Sequence, residues 1–374
     1  MNNTRTLLMV QNQDSFVISH RFEILLEAKR RGYEVHVAAK DTGLAQVFEN
    51  NGLRFHPLKI SRKSLNPLSN FKTFLHLLFL FWKVKPDLLH LVTVKVVIFG
   101  GIASRLAGIN RVVTSISGLG YTSTDAVSIK RKCLRYFVFK LYKLALNHKN
   151  LIVIFQNEDD LSEISETINL SPEKIVLIRS SGIDLKKFNG SNLSTERPIV
   201  MMAARLLKDK GVYEFVEAAK NLKKQNINAR FVLVGSPDFD NPTSVSIAEI
   251  EQWVKSEFIE YWGYSEKMEA TISKALIVVL PSYREGFPKV LLEAAACERA
   301  VITTDVPGCR DAMLDGLTGK LVPVKNVEAL STAIKQMVDA PETTIKMGKA
   351  GRKFAKANFN IDEIVERHFE IYSA

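Results

Sequence analysis

Two glutamates eight positions apart are the residues of this sequence whose type and spacing most clearly suggest chemistry. In the segment PSYREGFPKVLLE, Glu285 precedes a predicted helix and Glu293 falls inside it. A carboxylate in an otherwise apolar helix is costly unless hydrogen-bond donors meet it, and the vicinal hydroxyls of a sugar could supply them. A structural Arg or Lys would satisfy Glu293 equally well, so this pattern alone leaves both interpretations open.

The start of the same helix is a predicted anion site. Pro288 suits the first helical position. The preceding Gly286 and Phe287 would then offer free backbone N–H groups at the positive end of the helix dipole.

Two cations follow the first strand of the second half of the chain. In ARLLKDKG, Arg205 stands just past a strand end, and Lys210 precedes Gly211 and the next helix. An Arg fork and a Lys point charge at a sheet's carboxyl edge can neutralise a diphosphate. Lys208 fits a solvated surface charge.

Several common chemistries lack their motifs. There is no glycine-rich dinucleotide fingerprint after the first strand, no P-loop, no GxSxG elbow and no HExxH. Asp238 and Asp240 form a DxD pattern, but two carboxylates in a polar loop are typical of solvated turn residues. We therefore predict no metal site.

Apolar, β-branched runs alternate with helical patterns along the whole chain, which predicts an α/β protein with doubly wound parallel sheets. The predicted strands are Leu7–Val10, Val35–Ala38, Leu88–Val92, Val112–Ile116, Leu151–Phe155, Lys174–Ile178, Ile199–Ala203, Arg230–Val234, Leu276–Leu280 and Ala300–Thr303. The predicted helices include His20–Arg31, Val212–Lys224, Pro288–Cys297, Val327–Val338 and Ile361–Tyr372.

A Gly/Ser/Asn-rich stretch near residues 180–194 indicates a domain boundary. We expect a first Rossmann-like domain over residues 1–182, a second over 183–358, and a final helix in 359–374 that packs back across the hinge. The two domains are expected to face a central cleft, because ligands of such sheets bind at the carboxyl ends of the strands.

The segments ARLLKDKG, PSYREGFPKVLLEAAAC and ITTDVPGCRDAMLDGLTGKLVP resemble the donor half of retaining glycosyltransferase family 4, whose fold is the two-domain GT-B type. The resemblance implies that Glu285 contacts the donor sugar and that Glu293 holds the ribose. It also implies that Arg205 and Lys210 hold the nucleotide diphosphate. The stretch EYWG is similar to the lining of the base pocket, which adds Trp262 and Gly263 to the donor site.

The first half resembles the branch of that family that builds bacterial capsule and O-antigen repeat units, through SHRFEILLEAKRRGYEV, LLHLVTVK and SGLGY. Membership implies transfer of a hexose or N-acetylhexosamine from a UDP-sugar to an undecaprenyl-diphosphate-linked saccharide, without a metal. A sugar-nucleotide epimerase of the same fold and a basic nucleic-acid-binding protein are the alternatives.

One departure from the family lies in the loop after the fourth strand of the first domain. Many relatives carry a His there, but this chain has Ser117, followed by Gly118 and Gly120, whose backbone amides could approach a phosphate or sugar. Lys95 and His20 are further candidates for the acceptor side of the cleft. His90 fits a satisfied core histidine.

Charge is unevenly distributed along the chain. Residues 1–180 hold 25 Lys and Arg against 14 Asp and Glu, whereas the remainder is balanced at 26 each, so the first half carries the whole net charge of +11. Cations and apolar residues share a predicted amphipathic helix, the form of an interfacial membrane anchor. Its cations are Lys130, Arg131, Lys132, Arg135, Lys140 and Lys143.

These features predict a cytoplasmic enzyme held peripherally on the inner face of the cell membrane, with an anionic membrane surface as partner and no nucleic acid.

Cys133, Cys297 and Cys309 are widely spaced and fit reduced thiols. The apolar stretch Phe74–Trp82 is too short to span a bilayer. We expect it to be a buried helix, with insertion into a membrane interface as the alternative.

Overall fold

The computed structural model describes residues 4–60, 66–118, 129–190, 197–239 and 241–373, without the side chains of residues 129–132 and 134. Gly120, Asp240 and the side chains of Lys130, Arg131 and Lys132 therefore lie outside the described part. The chain forms two units, one of Met1–Ser181 with Glu363–Ala374 and one of Gly182–Asp362.

The first unit is built around a parallel sheet of order β3-β2-β1-β4-β5-β6-β7. Its strands are β1 (Thr6–Val10), β2 (Glu34–Ala39), β3 (Arg54–Pro57), β4 (Leu88–Val92), β5 (Val112–Ile116), β6 (Leu151–Phe155) and β7 (Ile175–Leu177). Its helices are α1 (Asp14–His20), α2 (Phe22–Arg30), α3 (Ala45–Asn50), α4 (Pro67–Val84), α5 (Val94–Leu106), α6 (Ile129–Leu146) and α7 (Glu158–Ile168), joined by most of the final helix α14 (Ile361–Ser373).

The handedness of the crossovers distributes these helices over the two faces of the sheet. The chain moves from β1 to β3 in one direction and from β3 through β7 in the other, so right-handed connections place α4–α7 on the face opposite α1–α3. Leu77, Val97, Tyr142 and Ile164 of α4–α7 share one buried core with Leu89 of β4. Helix α14 instead contacts Arg31, just after α2, whose guanidinium pairs with Glu366 and lies 4.1 Å from the centroid of the Phe369 ring.

The second unit has a parallel sheet of order β10-β9-β8-β11-β12-β13. Its strands are β8 (Ile199–Ala203), β9 (Arg230–Val234), β10 (Glu260–Gly263), β11 (Ile277–Leu280), β12 (Ala300–Thr304) and β13 (Gly319–Val322). Its helices are α8 (Val212–Lys224), α9 (Ile247–Lys255), α10 (Met268–Ile272), α11 (Lys289–Ala296), α12 (Val327–Asp339) and α13 (Pro341–Asn358).

The central strands of both sheets are buried along their whole length, because helices cover both faces. Local sequence signals fix several helix starts. Asn157 caps α7 by accepting from the Asp160 amide, and Ser246 and Glu249 form a capping box at α9. The sheets are thus rigid platforms whose carboxyl edges carry the loops.

Three details of the helix predictions differ from the structure. The predicted helix His20–Arg31 is α2 (Phe22–Arg30) with slightly shorter ends, and the separate helix α1 (Asp14–His20) before it was not predicted. Pro288 is the N-cap of α11 rather than its first helical residue, since its ψ of 111° is extended. The stretch Phe74–Trp82 is not simply buried: Phe79 and Trp82 in α4 are 62% and 46% exposed.

Candidate active site

The loops that follow β8 and β11 are joined at the carboxyl edge of the second sheet. The Asp209 carbonyl accepts hydrogen bonds from the Tyr283 amide at 2.9 Å and the Ser282 hydroxyl at 3.1 Å. Gly211 has a φ of +78°, and a Cβ there would lie 2.1 Å from the Pro281 carbonyl oxygen. Only glycine allows this approach, so the two loops are held in fixed relation.

This contact brings together Lys210 and Glu285, which the sequence placed 75 residues apart. The Lys210 Nζ lies 2.5 Å from Glu285 Oε1, and the two side chains are only 15% and 14% exposed. A largely enclosed ion pair keeps both charged groups ordered before any ligand arrives.

A third loop packs behind Glu285. The Glu285 amide donates to the Pro307 carbonyl at 3.3 Å. Gly308, with a φ of +76°, sits so close that a Cβ would lie 2.5 Å from the Gly286 carbonyl oxygen. The VPG segment after β12 therefore fixes the backbone on which Glu285 stands.

The residues before α11 divide into backbone and core roles. Gly286 lies in the loop, whereas the Phe287 side chain is buried, 5.2 Å from the Phe359 ring. Phe287 can therefore reach a ligand through its backbone but not through its ring. Pro288 is the N-cap residue of α11 and has no N–H group of its own.

Glu293 projects from α11 without an ionic partner. Within the described residues, its carboxylate forms no hydrogen bond or close ion pair, although the charges of Lys289 and Lys187 favour its ionised form. Burial raises the pKa of Glu293, although Lys289 and Lys187 partly offset the rise. A buried carboxylate without a hydrogen-bond partner in the protein is suited to accept hydrogen bonds from ligand hydroxyls.

Arg205 stands at the end of β8, as predicted. Its Nη1 lies 3.0 Å from Asp238 Oδ2 in the loop after β9. Asp238 is therefore more than the solvated turn residue that the sequence suggested, since it faces a cation of the site.

The edge strand β10 carries the two predicted base-pocket residues. The Trp262 Nε1 donates to Glu260 Oε2 at 3.2 Å, and the cations of Arg230 and Lys274 lie 5.8 and 5.3 Å from the indole ring. Gly263 has a φ of +68° and open space around its Cβ position. The indole is thus already engaged by two cations.

The candidate acceptor residues of the first unit follow the strands of its own sheet. Ser117 and Gly118 come directly after β5, and Lys95 lies in the first turn of α5, after β4. Burial lowers the pKa of Lys95, whose Nζ donates to Asn70 Oδ1 at 3.2 Å. His20 ends α1, where its Nδ1 lies 2.6 Å from Ser19 Oγ. Gly120 is outside the described residues.

His90 is a core histidine, as predicted. It is fully buried, and its two ring nitrogens meet Tyr372 Oη at 2.5 Å and Ser115 Oγ at 2.7 Å. Burial, with smaller contributions from His368 and Arg21, lowers its pKa well below the ordinary value. His90 therefore ties α14 to the sheet.

Sequence reasoning missed a set of polar atoms at the carboxyl edge of the first sheet. Gln11 Oε1, Asn12 Oδ1 and Thr93 Oγ1 are buried and have no hydrogen-bond partner among the residues that the structure describes. Thr93 also has a φ of +79°, a strained conformation for a β-branched residue. All three directly follow β1 or β4, and that position was the available signal.

No group of three or more His, Cys, Asp or Glu side chains that could hold a metal ion occurs in the described residues. Among the same residues, no helix is both long enough and apolar enough to cross a bilayer.

Two parallel, doubly wound α/β units are the architecture of glycosyltransferases with the GT-B fold. Residues 6–157 match the model of glycosyl transferase 4-like proteins, and residues 184–354 match that of glycosyl transferases group 1. The chain belongs to this glycosyltransferase family, and it is an enzyme.

Two characterised relatives and one solved structure illustrate the similarity. The chain is 31% identical to the N,N'-diacetylbacillosaminyl-diphospho-undecaprenol alpha-1,3-N-acetylgalactosaminyltransferase of Campylobacter jejuni, over 94% of both chains. It is 24% identical to the UDP-Gal:alpha-D-GlcNAc-diphosphoundecaprenol alpha-1,3-galactosyltransferase of Escherichia coli, over 91% of this chain and 89% of that one.

The structural relative supports the fold. Sucrose-phosphate synthase of Thermosynechococcus elongatus superimposes with a TM-score of 0.80 at 20% identity, covering 99% of this chain and 98% of that one. The predicted GT-B fold and family membership are therefore confirmed.

Proposed function

We propose that this chain is a retaining glycosyltransferase that moves a hexose or N-acetylhexosamine from a UDP-sugar to a polyprenyl-diphosphate-linked saccharide. The observation that carries the proposal is the edge of the second sheet, where Arg205 and the Lys210–Glu285 pair share the loops that position Glu293. The names of the two relatives support both the lipid-linked acceptor and an alpha linkage in the product. Such transfers build bacterial surface polysaccharides.

The reaction breaks the bond between C1 of the sugar and the β-phosphate oxygen, and the diphosphate leaves with the electron pair. Arg205, Lys210 and the backbone around Gly286–Phe287 stabilise the charge that develops on it, without a metal. An acceptor hydroxyl attacks C1 on the face that the diphosphate leaves. Its proton passes to the departing phosphate oxygen, so no enzyme base is required.

Each carboxylate has a separate task in this scheme. Glu285, held by Lys210, faces the donor sugar, while Glu293 accepts hydrogen bonds from the two ribose hydroxyls. At the first sheet, the strained Thr93 offers hydrogen-bonding groups for acceptor hydroxyls. So do Gln11 and Asn12, whose side-chain oxygens have no partner in the described part of the chain.

The outer surface of the first unit supports peripheral attachment to a membrane. The sequences of α4, α5 and α6 contain ten Lys or Arg and no Asp or Glu. Every large apolar side chain exposed on the described part of the first unit lies on these three helices. They are Leu68, Phe71, Phe79, Trp82, Leu106, Tyr136, Phe137 and Leu144.

Cations and aromatic side chains on one face are what an anionic bilayer interface attracts. Lys140 and Lys143 are exposed on α6, whereas Arg135 forms an ion pair with Glu163 of α7 at 3.0 Å. We therefore assign bilayer contact to the α4–α6 face. Arg135 is excluded from that contact, because its ion pair stabilises the packing of α6 against α7. A cytoplasmic membrane surface, rather than nucleic acid, is the partner of this charge.

A panel of UDP-sugars tests the function. Each donor is incubated with the enzyme, with and without a synthetic polyprenyl-diphosphate saccharide, and products are identified by mass spectrometry. We expect an acceptor-dependent product one sugar heavier, also in the presence of EDTA. Epimerised UDP-sugar formed without acceptor would instead identify a sugar-nucleotide epimerase.

A further inference from the structure

Asp238 faces the cation that the proposed function assigns to the donor diphosphate. The Arg205–Asp238 pair is only partly solvated, with side chains 37% and 23% exposed. A carboxylate at 3.0 Å from a guanidinium occupies one of the positions from which a phosphate oxygen would accept hydrogen bonds.

The loop that carries Asp238 is anchored against the segment that carries Arg205. The Asp238 amide donates to Ser244 Oγ at 2.9 Å. The Leu206 amide donates to the Ser236 carbonyl at 3.1 Å, and the Val245 amide donates to the Leu206 carbonyl at 2.9 Å. These bonds hold Asp238 at a fixed place, so its charge acts on Arg205 continuously.

Four charged groups of the site, Arg205, Lys210, Asp238 and Glu285, carry no net charge together when no ligand is present. Arg205 pairs with Asp238, and Lys210 pairs with Glu285, so two cations face two carboxylates. An incoming diphosphate meets no net positive charge from these four groups. It binds Arg205 against the repulsion of Asp238.

We propose that Asp238 is an internal counter-ion that competes with the diphosphate for Arg205 and so promotes release of the nucleotide after transfer. The inference rests on the proposed function, since it takes UDP as the product. A UDP-sugar carries two negative charges on its diphosphate. Free UDP gains most of a third, because its terminal phosphate ionises with a pKa of about 6. Asp238 therefore weakens UDP binding more than donor binding.

The test is titration calorimetry of UDP and of the UDP-sugar substrate. It compares the wild-type chain with Asp238→Asn, Asp238→Ser, Arg205→Ala and Asp339→Asn. Asn keeps the shape and the hydrogen-bond acceptor of Asp while it removes the charge, and Ser provides a second neutral residue if Asn disturbs the loop. Asp339 is the matched control, because it pairs with Lys335 at the end of α12, towards the opposite edge of the sheet.

We expect Asp238→Asn to bind UDP about fivefold to tenfold more tightly and the UDP-sugar only about threefold more tightly. The gain should shrink as salt is added. Asp339→Asn should leave both affinities unchanged. Equal or weaker UDP binding by both Asp238 variants would overturn the inference, because Asp238 would then only orient Arg205.

Failure of the proposed function gives a different result. If Arg205→Ala bound UDP as tightly as the wild-type chain, Arg205 would not hold the diphosphate. The donor site would then be wrong, whatever the Asp238 variants did. A weakened Arg205→Ala with an unimproved Asp238→Asn would overturn the inference alone.

Discussion

At the scale of single residues, the site contains groups that the fold does not need. Glu293 is a carboxylate without a partner in the described residues, on a helix whose other side chains are largely buried. Burial raises its pKa, which means that folding favours its neutral form. We therefore propose that Glu293 is retained for a ligand, at a cost in stability.

Replacement of Glu293 by Gln should stabilise the fold and weaken donor binding. A raised pKa means that the contribution of Glu293 to stability is complete below the unfolded-state pKa and is lost as pH rises through the folded-state pKa. At neutral pH, Glu293→Gln should therefore raise the thermal midpoint by roughly 2–4 °C. The difference should vanish near pH 4, at about the ordinary pKa of Glu.

The same variant should bind UDP about tenfold more weakly, since the ribose hydroxyls lose a charged acceptor. Glu251→Gln, on the exposed surface of α9, is the control and should change neither property. A Glu293→Gln protein that is less stable than the wild type at neutral pH would contradict this account of the residue.

The sequence predicted charged groups for the candidate donor site but not all of their partners. Spacing and strand ends led to the prediction of Glu285, Glu293, Arg205 and Lys210, because each motif is local. The contact of Asp238 with Arg205 was not predictable, because it depends on how two loops 33 residues apart pack. The strain at Thr93 has the same origin, since no sequence pattern fixes a positive φ at a β-branched residue.

At the scale of elements, tight loop contacts position the chemistry. Gly211 and Gly308 permit backbone approaches that no side chain could tolerate, and these approaches join the loops after β8, β11 and β12. The site is therefore assembled from strand ends that are distant in sequence.

Substitution of Gly211 by Ala should cost far more than the same change at Gly316. Both glycines have φ near +75°, so both substitutions incur backbone strain of about 1 kcal/mol. At Gly211 the new Cβ also meets the Pro281 carbonyl, whereas nothing lies within 4 Å at Gly316. Urea unfolding should show a loss of about 2–4 kcal/mol for Gly211→Ala.

Transfer activity should fall with Gly211→Ala under conditions where the protein remains folded, because Lys210 moves relative to Glu285. Gly316→Ala should keep its activity. Equal stability losses in the two variants would show that the contact with Pro281 does not constrain the loops.

Element prediction succeeded at the centre of each sheet and at the edge strand β7, but it missed the other edge strands. Strands β4, β5, β6, β8 and β9 have the predicted bounds, because strands covered on both faces are continuous apolar runs. The edge strand β3 was not predicted, since its residues are exposed or half-buried. Strand β10 is half-buried throughout and was likewise absent from the predicted strands.

At the scale of the whole molecule, charge and apolar surface coincide on the α4–α6 face of the first unit. The sequence predicted the basic side of this surface from α6 alone. The exposed Phe79 and Trp82 of α4 were missed, because an apolar run does not show which of its residues face outward. The crossover connections decide which face of the sheet α4–α6 cover, and a linear sequence pattern does not show those connections.

The double variant Phe79→Ser/Trp82→Ser should bind anionic vesicles at least tenfold more weakly in co-sedimentation, since two aromatic side chains no longer enter the interface. Lys140→Ala/Lys143→Ala should reduce binding to anionic vesicles only, at about 1 kcal/mol for each cation. Leu317→Ser changes an exposed leucine of the second unit and should have no effect. If all three variants bound anionic vesicles as tightly as the wild type, this face would not be the membrane contact.

The proposed function requires Arg205 and Glu285 to support alpha-retaining transfer to a lipid-linked acceptor. The most direct measurement is NMR of the anomeric configuration of the product, with turnover compared between the wild type, Arg205→Ala and Glu285→Gln, each checked for folding by circular dichroism. We predict an alpha-linked product from the UDP-alpha-sugar, and a loss of about 100-fold or more in kcat/KM in both variants. A beta-linked product, or near wild-type turnover by both folded variants, would contradict the account.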